Sequence, residues 1–400
     1  MLGAVFQLHS KGPQDSFLTG RPEFNFIKQV YKQYENFAIE QTKILSNETV
    51  NFGNVVTFDI KKIGDFLYKT HFSFTLPKLV KRSGTFAGYT NSIGHAIIEY
   101  VDIEIGGTRV DRNYGVFMEI WNELTTLASY SDTLIGKFAH TKLLKTNAVS
   151  DSEYKVPLQF WFNKNIGSSL PLLSLRSSSI KIILKLRPFS ECIVYDGGIP
   201  PAPVNIKDCY LLSDYIFIDE VLKRNYIANE HLFLITQTQF NGDLHVGTGG
   251  VYKSNLAFNH PCSEIIFVLR ETASEENNDY FNFSLRNFVI NTEILPLLHS
   301  SKLILDGKDR TCILDQKTLG TLNTSKYHTN TTDKHIYTMP FCSDPEKSVP
   351  TGSLNFSTFT SAILYIKLME SIAPSNCFIF ARNYNIITIK ESKVRIHFSV

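Results

Sequence analysis

The residues best placed to do chemistry lie in one stretch, VDIEIGGTRVDRNYGVFMEIWNEL, residues 101–124. Gly106 and Gly107 could cradle a phosphate, and Glu119 and Glu123 are one helical turn apart, a spacing that suits paired acid–base carboxylates. The glycines fail the dinucleotide fingerprint, which needs three glycines at fixed offsets, and no GxxxxGK motif occurs. We therefore interpret them as a hairpin turn, because two-residue turns need positive φ angles.

The charged residues around this turn are interpreted as structural. Glu119 and Glu123 at this spacing are more typical of the solvated face of a helix than of an active site. Asp111 and Arg112 have no catalytic partner in the sequence. They are candidates for an ion pair beside the turn or for an interface.

Other patterns that could carry catalysis or metal binding are absent from the sequence. The eleven histidines form no HxH, HExxH or HxxxH cluster, and the six cysteines are spread singly without a CxxC pair. Reduced, buried thiols are expected, since free cysteine is usually buried. Trp161 could stack on a sugar or base, but apolar alternation over residues 158–165 favours a core strand. We predict no enzyme, no catalytic residue, no metal and no cofactor.

The elements that would hold these residues are mostly strands. Apolar residues alternate over 55–61 and 66–76, which predicts two long antiparallel strands, and Val101, Ile103 and Ile105 alternate before the glycine turn. After the turn the period changes to that of an amphipathic helix. That helix is marked by Phe117, Ile120, Trp121, Leu124 and Leu127.

The second half of the sequence repeats this pattern of apolar strands and glycine turns. Residues 262–271 and 280–290 are predicted strands, and SKLILDGKDR (301–310) echoes IEIGGTRVDR (103–112). Asp306 and Gly307 would form the second turn. Asp309 and Arg310 would form a second possible interface pair.

Two domains are expected from the length of 400 residues and from a Pro- and Gly-rich stretch at 188–208. The predicted limits are an N-terminal arm at 1–24, a first domain at 25–205 and a second domain at 206–400. Short strands with turns between them favour β-sandwich or jelly-roll domains over alternating βαβ units.

Composition excludes several functional classes. Lys and Arg number 40 against 38 Asp and Glu, a net charge of +2, and no run of five like charges marks a nucleic-acid footprint. No apolar run reaches the roughly 20 residues of a membrane helix, and no signal peptide is expected. Two polar segments, residues 272–282 and 320–335, are predicted surface loops.

Several blocks of the sequence resemble one known family along nearly the whole chain. They are residues 24–40, 52–77, 91–125, 258–268, 352–368 and 380–389. In this order they are similar to the double jelly-roll major capsid proteins of nucleocytoplasmic large DNA viruses, of the iridovirus and phycodnavirus kind. The resemblance implies an all-β fold of two tandem eight-stranded antiparallel jelly rolls with short helices in loops.

The resemblance also implies a function in assembly. Homotrimers would form pseudo-hexameric capsomers that tile an icosahedral virion shell, assembled in the host cytoplasm. Expected partners are further copies of the chain and minor capsid proteins, with an internal membrane near the segment that ends at Glu40 and no direct nucleic-acid binding. A carbohydrate- or receptor-binding virion protein, or a capsid paralogue acting as a minor or scaffold protein, remains an alternative.

Overall fold

Alternating burial runs along many strands of the computed structural model. In Ile180–Leu186, for example, every second side chain is buried, as expected for a strand with one face on a core. The structure describes residues 9, 12, 35–126, 130–137, 148–227, 229–285, 295–370, 373–390 and 393–398.

The first half of the chain contributes eleven strands and three short helices within the described residues. The strands are β1 (Phe37–Leu45), β2 (Val55–Asp59), β3 (Phe66–Leu76), β4 (Ala87–Tyr89), β5 (Ile98–Ile105), β6 (Thr108–Tyr114), β7 (Ser152–Pro157), β8 (Leu170–Pro171), β9 (Ile180–Leu186), β10 (Ile193–Tyr195) and β11 (Lys207–Ile218). The helices are α1 (Ile93–Ala96), α2 (Gly115–Thr125) and α3 (Tyr130–Ile135). Single 3-10 turns lie at Trp161–Asn163, Ile166–Ser168, Leu172–Ser174 and Phe189–Glu191.

The second half contributes thirteen strands over its described part. They are β12 (His231–Val246), β13 (Val251–Asn255), β14 (Pro261–Glu271), β15 (Ser284–Leu285), β16 (Leu295–Pro296), β17 (Leu298–Leu305), β18 (Lys308–Asp309), β19 (Leu314–Asp315), β20 (Ile336–Pro340), β21 (Leu354–Asn355), β22 (Ala362–Leu368), β23 (Ser375–Lys390) and β24 (Lys393–Ile396). The helices are α4 (Glu220–Ile227), α5 (Thr272–Glu276) and α6 (Asn323–Tyr327), with a π-helical turn at Thr318–Leu322 and a 3-10 turn at Phe356–Thr358.

The strands form the same pair of sheets twice. The first half has the orders β1-β11-β3-β7 and β2-β9-β5-β6, and the second half has β12-β23-β14-β20 and β13-β22-β17-β18. Strand β11 runs antiparallel to β3, and β23 runs antiparallel to both β12 and β14. Eight strands per half in this order make a jelly roll, so the predicted all-β double jelly roll is confirmed.

The hydrophobic core extends from one jelly roll into the other. Along β14, Ile265 and Phe267 pack in the core of the second jelly roll, whereas Ile266 and Val268 on the opposite face join the core of the first. Nearly every side chain of β14 is therefore buried. A strand covered on both faces shows that the two jelly rolls pack tightly against each other.

The domain limits stay a prediction. Ala38–Val400 form one compact unit, and Met1–Phe37 form another. Strand β11, at residues 207–218, pairs with β3 of the first jelly roll. The predicted arm at 1–24 lies outside the described residues except for His9 and Gly12.

The predicted strands and helix are confirmed in most places. Strands β2 and β3 both form, but the prediction of two long antiparallel strands is wrong for β2, which has five residues and pairs with β9 in the other sheet rather than with β3. The predicted helix forms as Gly115–Thr125, and Leu127 lies outside the described residues. The predicted strand at 158–165 is wrong, because Trp161 begins a buried 3-10 turn. Of the predicted strand at 280–290, only Ser284–Leu285 is a strand, and residues 286–290 are outside the described part.

The two predicted surface loops are partly buried. Residues 272–282 contain α5 and bury Tyr280 and Phe281, while residues 320–335 contain α6 and bury His328. The polar composition of these segments was misleading, because part of each contacts the first jelly roll: Tyr280 and Phe281 join its core, and His328 and Lys334 contact α2. The helices that the structure describes include none long and apolar enough to span a bilayer.

The six cysteines are all free, and most are buried as predicted. Cys192, Cys262, Cys342 and Cys377 are buried and Cys209 is partly buried. Cys312 is exposed, so the prediction of a buried thiol is wrong there.

Candidate functional site

The two turns predicted from the sequence, Gly106–Gly107 and Asp306–Gly307, are both hairpin turns. Gly106 and Gly107, with φ of 61° and 82°, join β5 to β6. Asp306 and Gly307, with φ of 45° and 77°, join β17 to β18. An added Cβ at Gly107 would meet nothing within 4 Å, so positive φ rather than lack of space favours glycine there.

Arg112 is held within its own sheet. Its Nε and Nη2 each donate a hydrogen bond of 2.6 Å to the carboxylate of Asp102, and its guanidinium lies 3.9 Å from the ring centre of Tyr100. The hydrogen bonds that Arg112 donates to Asp102 raise the pKa of Arg112. An arginine that binds a carboxylate bidentately and stacks on a tyrosine ring of the neighbouring strand fixes the register of β5 and β6.

Asp111 lies on the other side of β6, where the first jelly roll meets the second. Its Oδ1 accepts a hydrogen bond of 3.2 Å from the backbone N–H of Thr238, and its Oδ2 accepts one of 3.0 Å from Asn113. Asn113 in turn accepts a hydrogen bond from the Thr238 hydroxyl at 3.1 Å. Burial raises the pKa of Asp111 to about 7. Asp111 therefore lies at a contact between the two jelly rolls of one chain.

The second pair, Asp309 and Arg310, is exposed and lies away from this contact. Lys302 donates to both carboxylate oxygens of Asp309 at 2.9 Å. The structure therefore places the two Asp-Arg pairs in different surroundings, although their sequences echo each other.

We use the name seam for the contact between β6 and α2 of the first jelly roll and the outer face of the β12-β23-β14-β20 sheet of the second. Trp121 of α2 lies at its centre. The Arg382 guanidinium lies 3.8 Å from the Trp121 ring, Lys164 Nζ lies 4.9 Å from it, and the His328 ring meets it edge-on at 6.0 Å. A cavity of about 10 Å³ beside these residues has room for about one water molecule.

The interpretation of Glu119 and Glu123 as a solvated helix face is wrong. Their residues are 0% and 5% exposed, and both carboxylates contact Lys334 Nζ of the second jelly roll, at 2.7 and 2.6 Å. His95 Nδ1 lies 2.7 Å from the other oxygen of Glu119. Burial alone would raise the pKa of Glu119, but Lys334 and His95 hold it below its usual range. The second jelly roll covers the face that an isolated helix would expose.

A second buried charge group includes His328, whose ring meets Trp121 edge-on. His328 Nε2 is 3.1 Å from Glu264, and its Nδ1 is 3.2 Å from Glu346. Burial alone would lower the pKa of His328, but the two carboxylates raise it to about 9. Arg382 donates from Nη1 to the backbone oxygen of Pro345 at 3.0 Å. Through Pro345 and Glu346, this group holds the loop after β20 against Arg382 and His328 of the seam.

The seam residues that sequence reasoning missed are Lys164, His328, Lys334 and Arg382. Lys334 is 215 positions from Glu119, so no local pattern could join the two. In the part of the chain that the structure describes, no three His, Cys, Asp or Glu side chains are grouped to hold a metal ion. The carboxylates of Glu119 and Glu123 are instead paired with Lys334 across the contact, an arrangement suited to joining two jelly rolls.

Comparison with known proteins identifies the family. A model described as the major capsid protein N-terminus matches residues 25–219, and one described as the large eukaryotic DNA virus major capsid protein matches residues 223–393. This chain belongs to the major capsid proteins of large eukaryotic DNA viruses. The resemblance to this family that the sequence blocks showed is confirmed.

Individual relatives match over nearly the whole chain. The major capsid protein of Phaeocystis pouchetii virus is 28% identical, over 97% of this chain and 98% of the relative. That of Pyramimonas orientalis virus is 29% identical, over 97% of both chains. A chain of the quasi-atomic model of the PBCV-1 virus capsid is similar in fold, with a TM-score of 0.82 at 22% identity, over 94% of this chain and 100% of that one.

Membership of this family makes the chain a structural protein of the virion capsid. It is not an enzyme, since the matched family and relatives are capsid proteins. The seam then has a clear structural role, because it joins the two jelly rolls of each subunit into one block.

Proposed function

We propose that three copies of this major capsid protein form a capsomer with a six-sided outline, and that many capsomers tile an icosahedral shell. The observation that carries the proposal is the same pair of sheets in the same order in both halves. Two similar blocks per copy give six blocks in a trimer, and six similar blocks suit a ring with near six-fold symmetry.

The burial at the seam supports this function. A tile must keep its shape against its neighbours, and β14 is covered on both faces while α2 is buried along Gly115–Leu124. Close-packed interiors have low compressibility and transmit strain rather than absorb it. The subunit would therefore act as a stiff double block.

The near-neutral charge supports dense self-assembly. With 40 basic and 38 acidic residues, a copy carries a net charge of only +2. Self-repulsion between many closely packed copies is then low. We infer from the family resemblance that the other partners are minor capsid proteins, that an internal membrane lies near the segment ending at Glu40, that nucleic acid is not bound directly, and that assembly takes place in the host cytoplasm.

The test is the mass and shape of the purified full chain. Size-exclusion chromatography with light scattering is expected to give three times the chain mass of 45.5 kDa, and electron microscopy to give six-sided particles. A monomer at every concentration, with no capsomer or shell, would contradict the proposal. Reproducible saccharide binding by such a monomer on a glycan array would favour the receptor-binding alternative.

A further inference from the structure

The seam uses only half of the contact surfaces that the repeated fold provides. It joins an edge surface of the first jelly roll, β6 through α2, to a sheet surface of the second, the outer face of β12-β23-β14-β20. The same strand order gives the second jelly roll an edge surface, β18 through α6, and gives the first a sheet surface, the outer face of β1-β11-β3-β7. These two surfaces are not joined to each other within the chain.

Strand register identifies the residue of the second edge surface that corresponds to Trp121. Val101 pairs with Asn113 in the first jelly roll, and Ser301 pairs with Leu314 in the second. Trp121 is eight residues after Asn113, and Leu322 is eight residues after Leu314. Leu322 therefore corresponds to Trp121. Trp121 is 7% exposed at the seam, whereas Leu322 is 45% exposed.

Register also identifies the residue that corresponds to Arg382, the partner of Trp121. In the second jelly roll Glu264 pairs with both Arg382 and Pro340, and Pro340 ends its strand. In the first, His71 pairs with both Leu212 and Pro157, and Pro157 also ends its strand. Leu212 thus occupies the place of Arg382.

Leu212 points to the outer side of its sheet. Its neighbour Leu211 is fully buried in the first core, and consecutive strand residues point to opposite faces. Leu212 itself is partly exposed. On the same outer face His71 Nδ1 is buried without a hydrogen-bond partner among the described residues.

The two unused surfaces match each other chemically. At the seam the central contact is a tryptophan against an arginine, 3.8 Å apart. At the corresponding positions of the unused surfaces both members are leucine, Leu322 and Leu212. An apolar side chain on each side forms a favourable contact when both leave water.

We propose that the edge surface of one copy, centred on Leu322, docks on the sheet surface of a second copy, centred on Leu212. This inference rests on the proposed trimer and adds which surfaces form it. Because the two surfaces differ, the contact is head-to-tail, and head-to-tail contacts close into rings when the rotation between copies allows. A ring of three copies would alternate three seams with three such contacts.

The first experiment uses one substitution on each surface. Leu322→Glu and Leu212→Glu are each expected to reduce the trimer to monomer in light scattering, with a melting temperature close to the wild type. Val80→Glu is the matched control, because Val80 is 66% exposed and lies on neither surface. A trimer that persists in both leucine variants overturns the inference while leaving the proposed capsomer standing, and a monomeric wild type overturns both.

Mixing the two variants tests the head-to-tail arrangement directly. Leu322→Glu retains a good sheet surface and Leu212→Glu retains a good edge surface, so an equimolar mixture has one intact contact and is expected to give a dimer. The dimer cannot grow, because its two outer surfaces both carry glutamate. A mixture that stays monomeric at concentrations where the wild type is fully trimeric counts against the arrangement.

Cross-linking gives a readout that does not depend on loss of assembly. In a Cys312→Ser background, which removes the exposed thiol, a chain carrying both Leu322→Cys and Leu212→Cys is treated with a short bis-maleimide. Covalent species up to three chains are expected on a denaturing gel. The two chains that carry only one of the introduced cysteines, in the same background, are the controls and should remain mostly monomeric. Absence of cross-linked species in a chain that forms trimers contradicts the proposed contact.

Discussion

At the scale of single residues, the charged side chains of the seam are stabilised by buried partners, some across the seam and some within one jelly roll. Glu119 and Glu123 are buried against Lys334, and His328 is buried between Glu264 and Glu346. Burying a charge is costly unless it is paired and hydrogen-bonded. The pairs of Lys334 with Glu119 and Glu123 cross the seam, so they stabilise the subunit only while the seam is closed.

Lys334→Met is expected to destabilise the subunit by about 3 kcal/mol, since it removes the cation that Glu119 and Glu123 share in a buried site. The two carboxylates keep His95 and Lys137 as partners, but lose the contact that crosses the seam. Urea unfolding followed by the fluorescence of the two buried tryptophans, Trp121 and Trp161, measures this loss. Lys390→Met is the control, because the Lys390–Glu230 pair is exposed at 61% and 48%. Such a pair adds only about 0 to 1 kcal/mol. Equal effects of the two substitutions would show that the buried pair has no special role.

The seam histidine makes stability depend on pH. The pKa of His328 is raised to about 9 in the folded chain, above the roughly 6.5 of an unfolded histidine, so its contribution is fully present below pH 6.5 and is lost as pH rises toward 9. His328→Gln is therefore expected to cost about 3 kcal/mol more at pH 6 than at pH 9. Unfolding at both pH values checks this difference.

His245→Gln provides the comparison for that measurement, because His245 is exposed and its Nδ1 lies 3.0 Å from the side-chain oxygen of Asn376 rather than beside a carboxylate. It is expected to unfold like the wild type at both pH values. A pH-independent deficit in His328→Gln would mean that the ring acts through packing rather than through its charge.

At the scale of elements, α2 and β11 decide how the two jelly rolls are joined. Helix α2 is buried on all sides because β5 and α1 cover one side and the second jelly roll covers the other. Strand β11 returns to pair with β3. We therefore propose that the division between the jelly rolls follows Ile218 rather than residue 205.

Gly115→Ala is expected to destabilise the subunit by about 3 kcal/mol, because added atoms cannot be accommodated in a packed site. An added Cβ would lie 2.1 Å from the backbone oxygen of Ile98 and 2.4 Å from that of His95. Gly198→Ala is the control, since its Cβ would meet nothing within 4 Å. Thermal unfolding of both variants measures the difference, and a Gly115→Ala variant as stable as the control would show that the backbone yields at this site.

At the scale of the whole molecule, the two jelly rolls share a core and form part of one compact unit, Ala38–Val400. Separation would expose the apolar residues of the seam, among them Phe117, Trp121 and Phe380. Exposed apolar area of this kind promotes aggregation.

Residues 1–219 and 220–400 expressed as separate chains are therefore expected to be insoluble or to lack a cooperative unfolding transition, and to copurify when expressed together. Affinity purification through a tag on one half, followed by denaturation, checks both parts. Cooperative unfolding of either half alone would show that the seam is not needed for folding.

The sequence by itself determined the local elements and the family. Alternating apolar residues predicted strands β2, β3 and β5, the glycines predicted the turn at Gly106–Gly107, and a change of period predicted α2, because each of these depends only on neighbouring residues. The sequence blocks that resemble the capsid-protein family, in the family's order, predicted the double jelly roll.

Only the tertiary structure decided which polar faces are buried. Glu119 and Trp121 contact partners more than 200 positions away. Segments 272–282 and 320–335 are polar in sequence, yet each buries a residue against the first jelly roll, Phe281 and His328. The physical reason is that a local pattern specifies the period of an element but not what covers each face. Burial of a polar face depends on the charge and shape of a surface that comes together only when both jelly rolls have folded.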